Sequence, residues 1–187
     1  MPMKVGVLAL QGDFREHGLV LRDLGVEPVE VRSAEQLGEV DALIIPGGES
    51  TTIGKLARSH ALVDPIRERA SRGMPVMGTC AGMIVMASGV DGGQPVLSLM
   101  DLTVRRNAYG RQVDSFEADV EVEGIDEPVR AVFIRAPWVE RIGDGVRVLA
   151  EHGGRPVILE QGNLVAAAFH PELAGESRLH DYFLKKV

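Results

Sequence analysis

The amino-acid sequence predicts an α/β protein with a three-layer, doubly wound, mostly parallel sheet and an antiparallel β extension. Three observations carry this. Apolar runs at Lys4–Leu10, Val26–Val31, Asp41–Pro46 and Pro75–Met77 alternate with stretches of helical periodicity. Glycine-bearing turns, Gly47-Gly48 and Gly78 to Gly82, follow two of those runs directly, where open parallel sheets place their sites. Beyond about Ser88 the pattern changes to short β-rich runs joined by turns such as Glu123-Gly124 and Asp144-Gly145.

The elements follow in order. Lys4 to Leu10 is near-continuously apolar, as expected of a central strand covered on both faces. Gln11-Gly12 turns the chain, and Asp13 is placed to cap a helix running to about Leu24 and stopped by Gly25; Phe14, Val20, Leu21 and Leu24 give it an apolar stripe. Val26 to Val31 reads as a second strand, and Ser33 with Gln36 as a short capping box. A third strand, Asp41 to Pro46, ends in Gly47-Gly48-Glu49-Ser50. Helices are expected over Ser50–Arg58, with Ser50 available as a cap, and over Leu62–Arg72, before a fourth strand at Pro75–Met77. A helix is expected from Met83. Gly89 to Pro95 reads as a glycine-rich loop. Short strands are then expected at Leu102–Arg106, Phe116–Val122, Val129–Ile134, Val146–Ala150, Val157–Glu160 and Leu164–Phe169, with a closing helix over Ser177–Lys186. No linker or internal repeat divides the chain, so one domain over residues 1–187 is expected.

Composition narrows the function. The chain has 187 residues, 45% hydrophobic and 25% charged, which suits an ordinary globular protein. A net charge of −7 argues against nucleic-acid or anionic-membrane binding. A single cysteine, no signal-peptide features and no apolar run of membrane-spanning length point to the cytoplasm. The five histidines lack zinc-ligand spacing, so no metal is expected.

Chemistry concentrates at Gly78-Thr79-Cys80-Ala81-Gly82. A glycine two residues either side of the lone cysteine, between a strand and a helix, is the pattern of a nucleophile elbow. The tip of such a turn is strained, and the flanking glycines avoid collisions as the chain doubles back. The helix start directs N–H groups and positive dipole at the tip, which favours a thiolate and an oxyanion beside it. By itself the segment is equally compatible with a buried structural cysteine. A cysteine nucleophile also needs an oriented base. Leu164 to Phe169 leads into His170-Pro171-Glu172, where the proline favours an extended chain that presents the imidazole and the carboxylate together. Gly47-Gly48-Glu49-Ser50 offers backbone N–H groups that can join Ala81 N–H in an oxyanion hole. A phosphate-loop reading of Gly54-Lys55 fails, because the first glycine and the Ser/Thr are missing. Arg106 and Arg135 stand at the ends of β-rich runs, solvated or paired. His60, His152 and His180 read as surface or helix residues, while His17 on the first helix has a possible place in a partner surface.

These residues together resemble the class I, triad-type glutamine amidotransferases, whose fold is flavodoxin-like. Within that class the resemblance is to the glutaminase subunits of the deoxyxylulose-5-phosphate-independent pyridoxal 5′-phosphate synthases. It rests on Leu10-Gln11-Gly12 with Arg15-Glu16-His17, on Pro46 to Thr52 (Pro-Gly-Gly-Glu-Ser-Thr-Thr), and on the Cys80 elbow. Further on it rests on Arg106-Asn107 with Gly110 to Glu117 (Gly-Arg-Gln-Val-Asp-Ser-Phe-Glu), on Phe133-Ile134-Arg135-Ala136-Pro137, and on Phe169-His170-Pro171-Glu172.

The resemblance implies hydrolysis of L-glutamine to glutamate and ammonia through a thioester. Cys80 would be the nucleophile, His170 the general base and acid, and Glu172 its orienter. Gly48 and Ala81 would supply the oxyanion hole. Gly48, Glu49, Ser50, Arg106, Ile134 and Arg135 would hold glutamine, since an arginine suits its α-carboxylate and a carboxylate its α-ammonium. The implied partner is a separate β/α-barrel synthase subunit that receives the ammonia, with Gln11, Gly12 and the first helix as the candidate contact region. Pyridoxal phosphate would be a product of the complex, and no cofactor of this chain is expected. A glutaminase subunit of another class I pathway is opposed by the Gly-Gly-Glu-Ser segment. A non-enzymatic regulatory subunit is opposed by the intact Cys-His-Glu set.

Overall fold

The computed structural model describes residues 1–106 and 115–187. The first half of the chain runs β1 (Lys4–Leu8), α1 (Phe14–Asp23), β2 (Glu27–Val31), α2 (Ala34–Gly38), β3 (Ala42–Ile45), α3 (Ser50–Ser59), α4 (Val63–Ser71), β4 (Val76–Thr79) and α5 (Ala81–Met86). The second half runs β5 (Ala87–Asp91), β6 (Met100–Arg105), β7 (Ser115–Val120), β8 (Val129–Ile134), β9 (Trp138–Ile142), β10 (Arg147–His152), β11 (Arg155–Gln161) and β12 (Leu164–Ala167). A 3-10 turn at Pro171–Ala174 and α6 (Arg178–Leu184) close the chain.

The main sheet has the strand order β10-β11-β12-β4-β3-β1-β2. From β12 to β2 its neighbours are parallel, in the doubly wound order expected from the sequence. β3 and β4 are buried along their whole length, which is why they read as unbroken apolar runs. The chain winds from β1 outward to β2, then back past β1 to β3 and β4. Right-handed crossovers in opposite directions place helices on opposite faces. One face carries α1 and α6, joined through His17 and His180. On the other, Arg69 of α4 bonds the Leu37 and Val40 carbonyls beside α2. Three carboxyl-end turns, after β3, β4 and β12, therefore open along one sheet edge.

Several expectations need correction. β10, β11 and β12 were expected in the antiparallel extension. They instead continue the main sheet, with β12 lying parallel to β4 and only β10 and β11 antiparallel to their neighbours. Long-range pairing decided this, and local periodicity cannot reveal it. The remaining strands form two small sheets, β5-β6-β9 and β7-β8. The supposed loop at Gly89 begins as β5, where Gly89 lies against Thr103 without room for a Cβ. β9 was not foreseen: its run Trp-Val-Glu-Arg-Ile is too polar to read as a strand. α5 begins at Ala81, directly after the cysteine, and not at Met83. Ser33 accepts the Gln36 N–H as expected, but Gln36 accepts from Arg32 N–H, so the box is open by one residue.

Two cap assignments also change. α3 is capped by Glu49, which accepts the N–H groups of Thr51 and Thr52, and Ser50 is its first helical residue. Asp13 sits at the N-cap position of α1 but makes no capping bond, because its carboxylate is committed to His170.

Candidate active site

The strand-to-helix turn between β4 and α5 fixes Cys80 at φ +52° and ψ −107°, a region that non-glycine residues occupy only under constraint. The constraint is visible. The Cys80 N–H donates to the Ala167 carbonyl of β12 at 2.8 Å, and its carbonyl starts the helix by accepting from Met83. The flanking glycines are required by close approach. A Cβ on Gly78 would meet the Gly82 carbonyl, and one on Gly82 would run into the Ile45 carbonyl of β3.

His170 follows β12, the neighbour of the elbow strand, so the parallel pairing carries the imidazole to the cysteine. The His170 backbone N–H donates to the Val132 carbonyl of β8 at 2.8 Å. The Cys80 thiol donates to the Ile134 carbonyl at 3.6 Å and lines the same cleft as the imidazole. On the other side of the ring, Nδ1 is 2.6 Å from Glu172 Oε1 and 2.9 Å from Asp13 Oδ2. The Glu172 side chain is fully buried, and its Oε2 finds no hydrogen-bond partner among the described residues, the His17 ring nitrogen being 3.5 Å away.

Charge follows this geometry. Burial alone would lower the His170 pKa, but hydrogen bonds to Asp13, Cys80 and Glu172 outweigh it and raise the pKa to about 12. The ring therefore keeps its second proton through the neutral range. Burial pushes Glu172 up to about 8. For Asp13 burial acts upward, yet hydrogen bonds with His170 and Glu172 hold it well below the ordinary carboxylate range. Beneath Glu172, His17 is depressed far below its usual value by burial and by His180, and burial takes His180 down to about 4. Both are neutral at pH 7.

A cleft of about 610 Å³ opens over the cysteine, lined by Asp13, Gly48, Glu49, Ser50, Cys80, Ala81, Ile84, Arg106, Ser115, Ile134, Arg135, His170 and Leu173. Every expected site residue is on that wall except Glu172, which stands behind His170. Arg106 reaches Thr51 Oγ1 at 2.8 Å and the Gly92 carbonyl at 2.9 Å, so α3 and the turn after β5 hold it at the rim. Arg135 is held at φ +46°, at the end of β8. The Glu49 carboxylate is already engaged by Thr51 and Thr52, so an ammonium group would have to use the lone pairs those bonds leave. Gln11 and Gly12 are half-buried behind the glycine loop. Gln11 Oε1 accepts the Glu49 N–H at 2.8 Å, and Gly12 packs directly on the Gly47 carbonyl. That carbonyl accepts Asp13 N–H at 3.1 Å, which turns the Gly48 N–H away from Asp13 across the trans peptide. Asn107 and the Gly110 to Asp114 part of the resemblance lie outside the described residues.

The arrangement can do nucleophilic acyl chemistry on a small polar substrate. It has a cysteine at a strained elbow, an imidazole in the same cleft, carboxyl groups on its Nδ1, and two arginines for an anionic group. Asp13, His170 and Glu172 also place one ligand-type atom each within 4.8 Å of the others, but those atoms are bonded to one another.

A model of the SNO glutamine amidotransferase family matches residues 7–187. The chain belongs to this family. Members resembling it include the pyridoxal 5′-phosphate synthase subunit PdxT of Frankia alni, 56% identical over 188 residues, covering 98% of this chain and 94% of that one. The same subunit of Pelotomaculum thermopropionicum is 58% identical over 186 residues, covering 98% and 95%. A crystal structure described as a glutamine amidotransferase superposes with a TM-score of 0.94 at 54% identity, covering 97% of each chain. For an SNO-family chain the sequence had missed three things. His17 is not a surface residue but fully buried, with Nε2 3.0 Å from Thr79 Oγ1 and Nδ1 2.8 Å from His180 Nε2. His180 lies on a helix as expected, yet is completely buried; His152 is half-buried beside Phe116 and Phe133, and His60 is exposed. Asp13 belongs to the site. Its signal was available: it follows a strand at the carboxyl edge, as Gly47 and Cys80 do.

Proposed function

We propose that this chain hydrolyses L-glutamine to L-glutamate and ammonia as the glutaminase subunit of a pyridoxal 5′-phosphate synthase. Cys80 is the nucleophile, His170 the general base and acid, and Glu172 an orienter of its ring. The observation that carries the reading is the strained Cys80 elbow facing His170 in a cleft shared with Arg106 and Arg135. The names borne by the relatives point to the same reaction and pathway.

In the reaction, His170 already carries the proton it will deliver, and the Cys80 thiolate attacks the side-chain amide carbon of glutamine. The oxyanion that forms takes hydrogen bonds from the N–H groups of Gly48 and Ala81. His170 then gives its proton to the departing nitrogen, ammonia leaves, and a thioester remains on Cys80. Water, its proton taken by His170, attacks the thioester and releases glutamate, restoring the thiolate beside a protonated His170. Arg106 and Arg135 hold the α-carboxylate, Glu49 the α-ammonium, and Ser50 and the Ile134 backbone complete the amino-acid site. Ammonia passes to the β/α-barrel synthase subunit, docked at Gln11, Gly12 and α1, where Leu19 is 58% exposed. The whole chain acts as one glutaminase domain in the cytoplasm. No helix of the described residues is long and apolar enough to cross a membrane.

The test is glutamate release from glutamine by the chain alone and with its cognate synthase subunit, each beside Cys80→Ala. Turnover that rises with the synthase and disappears in Cys80→Ala is expected. Turnover indifferent to Cys80 would overturn the mechanism, and turnover indifferent to the synthase would overturn the partner.

A further inference from the structure

His170 Nδ1 meets two carboxylates, one from its own segment and one from a residue 157 positions earlier. The second is unexpected on local grounds. Asp13 occupies the N-cap position of α1, where an aspartate side chain ordinarily stabilises a helix by accepting its free N–H groups. That cap is not made. The carboxylate turns across to the imidazole, while the Asp13 N–H is bonded to the Gly47 carbonyl. One residue thereby joins the β1–α1 turn, the glycine loop after β3 and the histidine after β12.

The two carboxylates are not equivalent. Glu172 is fully buried, its Oε2 lacks a hydrogen-bond donor among the described residues, and the imidazoles behind it, His17 and His180, are themselves completely buried and bonded to each other. Among the described residues, a negative charge there has no cation except His170 to answer it. The Asp13 side chain is 17% exposed and touches solvent in the cleft. The groups facing His170 are thus Asp13, Glu172 and Cys80, with His17, His180 and Thr79 beyond Glu172.

Resting on the glutaminase reading above, we propose that Asp13 is a positioning residue for His170, supplying the negative charge at Nδ1 and sharing with Glu172 the task of holding the ring toward Cys80. The triad is thereby a tetrad. The directions of the titrations agree: Asp13 is held ionised, Glu172 is driven toward its neutral form, and Asp13 is foremost among the groups that raise His170. Asp13 exchanges no proton in the cycle. It keeps the Nδ1–H bonded while Nε2 delivers its proton to the departing nitrogen and regains one from water.

The test uses the chain with its cognate synthase and two substitutions. Asp13→Asn keeps the shape and removes the charge. Asp13→Ser removes the carboxylate but restores a good helix cap, so a purely structural role predicts a neutral or stabilising change. Three readouts are needed: kcat and KM for glutamine, the melting temperature, and the ring-nitrogen NMR titration of His170. Both variants are expected to fold, to lose kcat by about tenfold or more with KM within about twofold, and to release the His170 proton at a pH lower by about a unit or more. Wild-type kcat in folded Asp13→Ser, or a lowered kcat with an unmoved His170 titration, would overturn the proposal. Absence of glutamate release by the wild-type complex would sink the glutaminase reading instead, and the His170 titration would still decide Asp13.

Discussion

Replacing Gly47 by alanine tests the placement of His170 with a single methyl group. A Cβ built on Gly47 lies 2.7 Å from His170 Nδ1, closer still to Cε1 of the ring, and 3.3 Å from Asp13 Oδ1. Ordinary contact begins at 3.4 Å, so the nitrogen alone must retreat by about 0.7 Å, and Cε1 by more. The ring cannot move freely, being held by Asp13 at 2.9 Å and Glu172 at 2.6 Å. A misplacement of about 1 Å costs on the order of 100-fold in rate, equivalent to about 2.7 kcal/mol of barrier. The overpacking itself costs about 1–3 kcal/mol of stability, which a domain of this size can absorb. Gly47→Ala should therefore remain folded by circular dichroism while glutamate release with the synthase falls by about 10- to 100-fold. The loss should fall in kcat more than in KM, since the cleft wall that binds glutamine is untouched. Wild-type kcat in a folded Gly47→Ala chain would refute the placement of the imidazole against the glycine loop.

Two further outcomes are expected. Gly82→Ala should lower stability although alanine is the better helix former by about 1 kcal/mol, because its methyl meets the Ile45 backbone; a net loss of about 1–2 kcal/mol, or a melting temperature lower by roughly 2–8 °C, is the outcome, and an unchanged or higher melting point would contradict it. Glu172→Gln should gain on wild type as pH rises: the folded state lifts Glu172 from 4.5 to about 8 by burial, so the wild-type contribution is full below 4.5 and is lost as pH climbs through about 8. Denaturant unfolding of both chains across that window measures the difference, and a gap that is constant with pH would show that the carboxyl does not titrate there.

The site was more legible than the fold around it, for a physical reason. Cys80 announces itself because only glycines permit the turn, and Gly78 and Gly82 stand where other side chains would strike backbone. His170 and Glu172 are two apart, and although a 3-10 turn opens at Pro171 where an extended segment was expected, their juxtaposition is local. The strands β3 and β4 were legible because burial on both faces leaves no polar positions. β9 was hidden because its residues 140 to 142 are exposed, and exposed strands carry no apolar signature. Glu49 displaced Ser50 as a cap through a choice between adjacent residues, which lies within the ordinary uncertainty of helix ends.

By itself the sequence determined the doubly wound alternation, the elbow, the His-Pro-Glu segment and the residue types of an amino-acid site. Each is written in spacings of a few residues, where sterics and periodicity act directly. Only the tertiary structure decided that β12 lies parallel beside β4 and so delivers His170 to Cys80. It alone turned Asp13 from a helix cap into a partner of the imidazole, and buried His17 and His180 beneath Glu172. These depend on contacts between residues far apart in the chain, 157 positions for Asp13 with His170 and 163 for His17 with His180. Such contacts are selected by the summed burial of the whole sheet, and no local pattern records that sum.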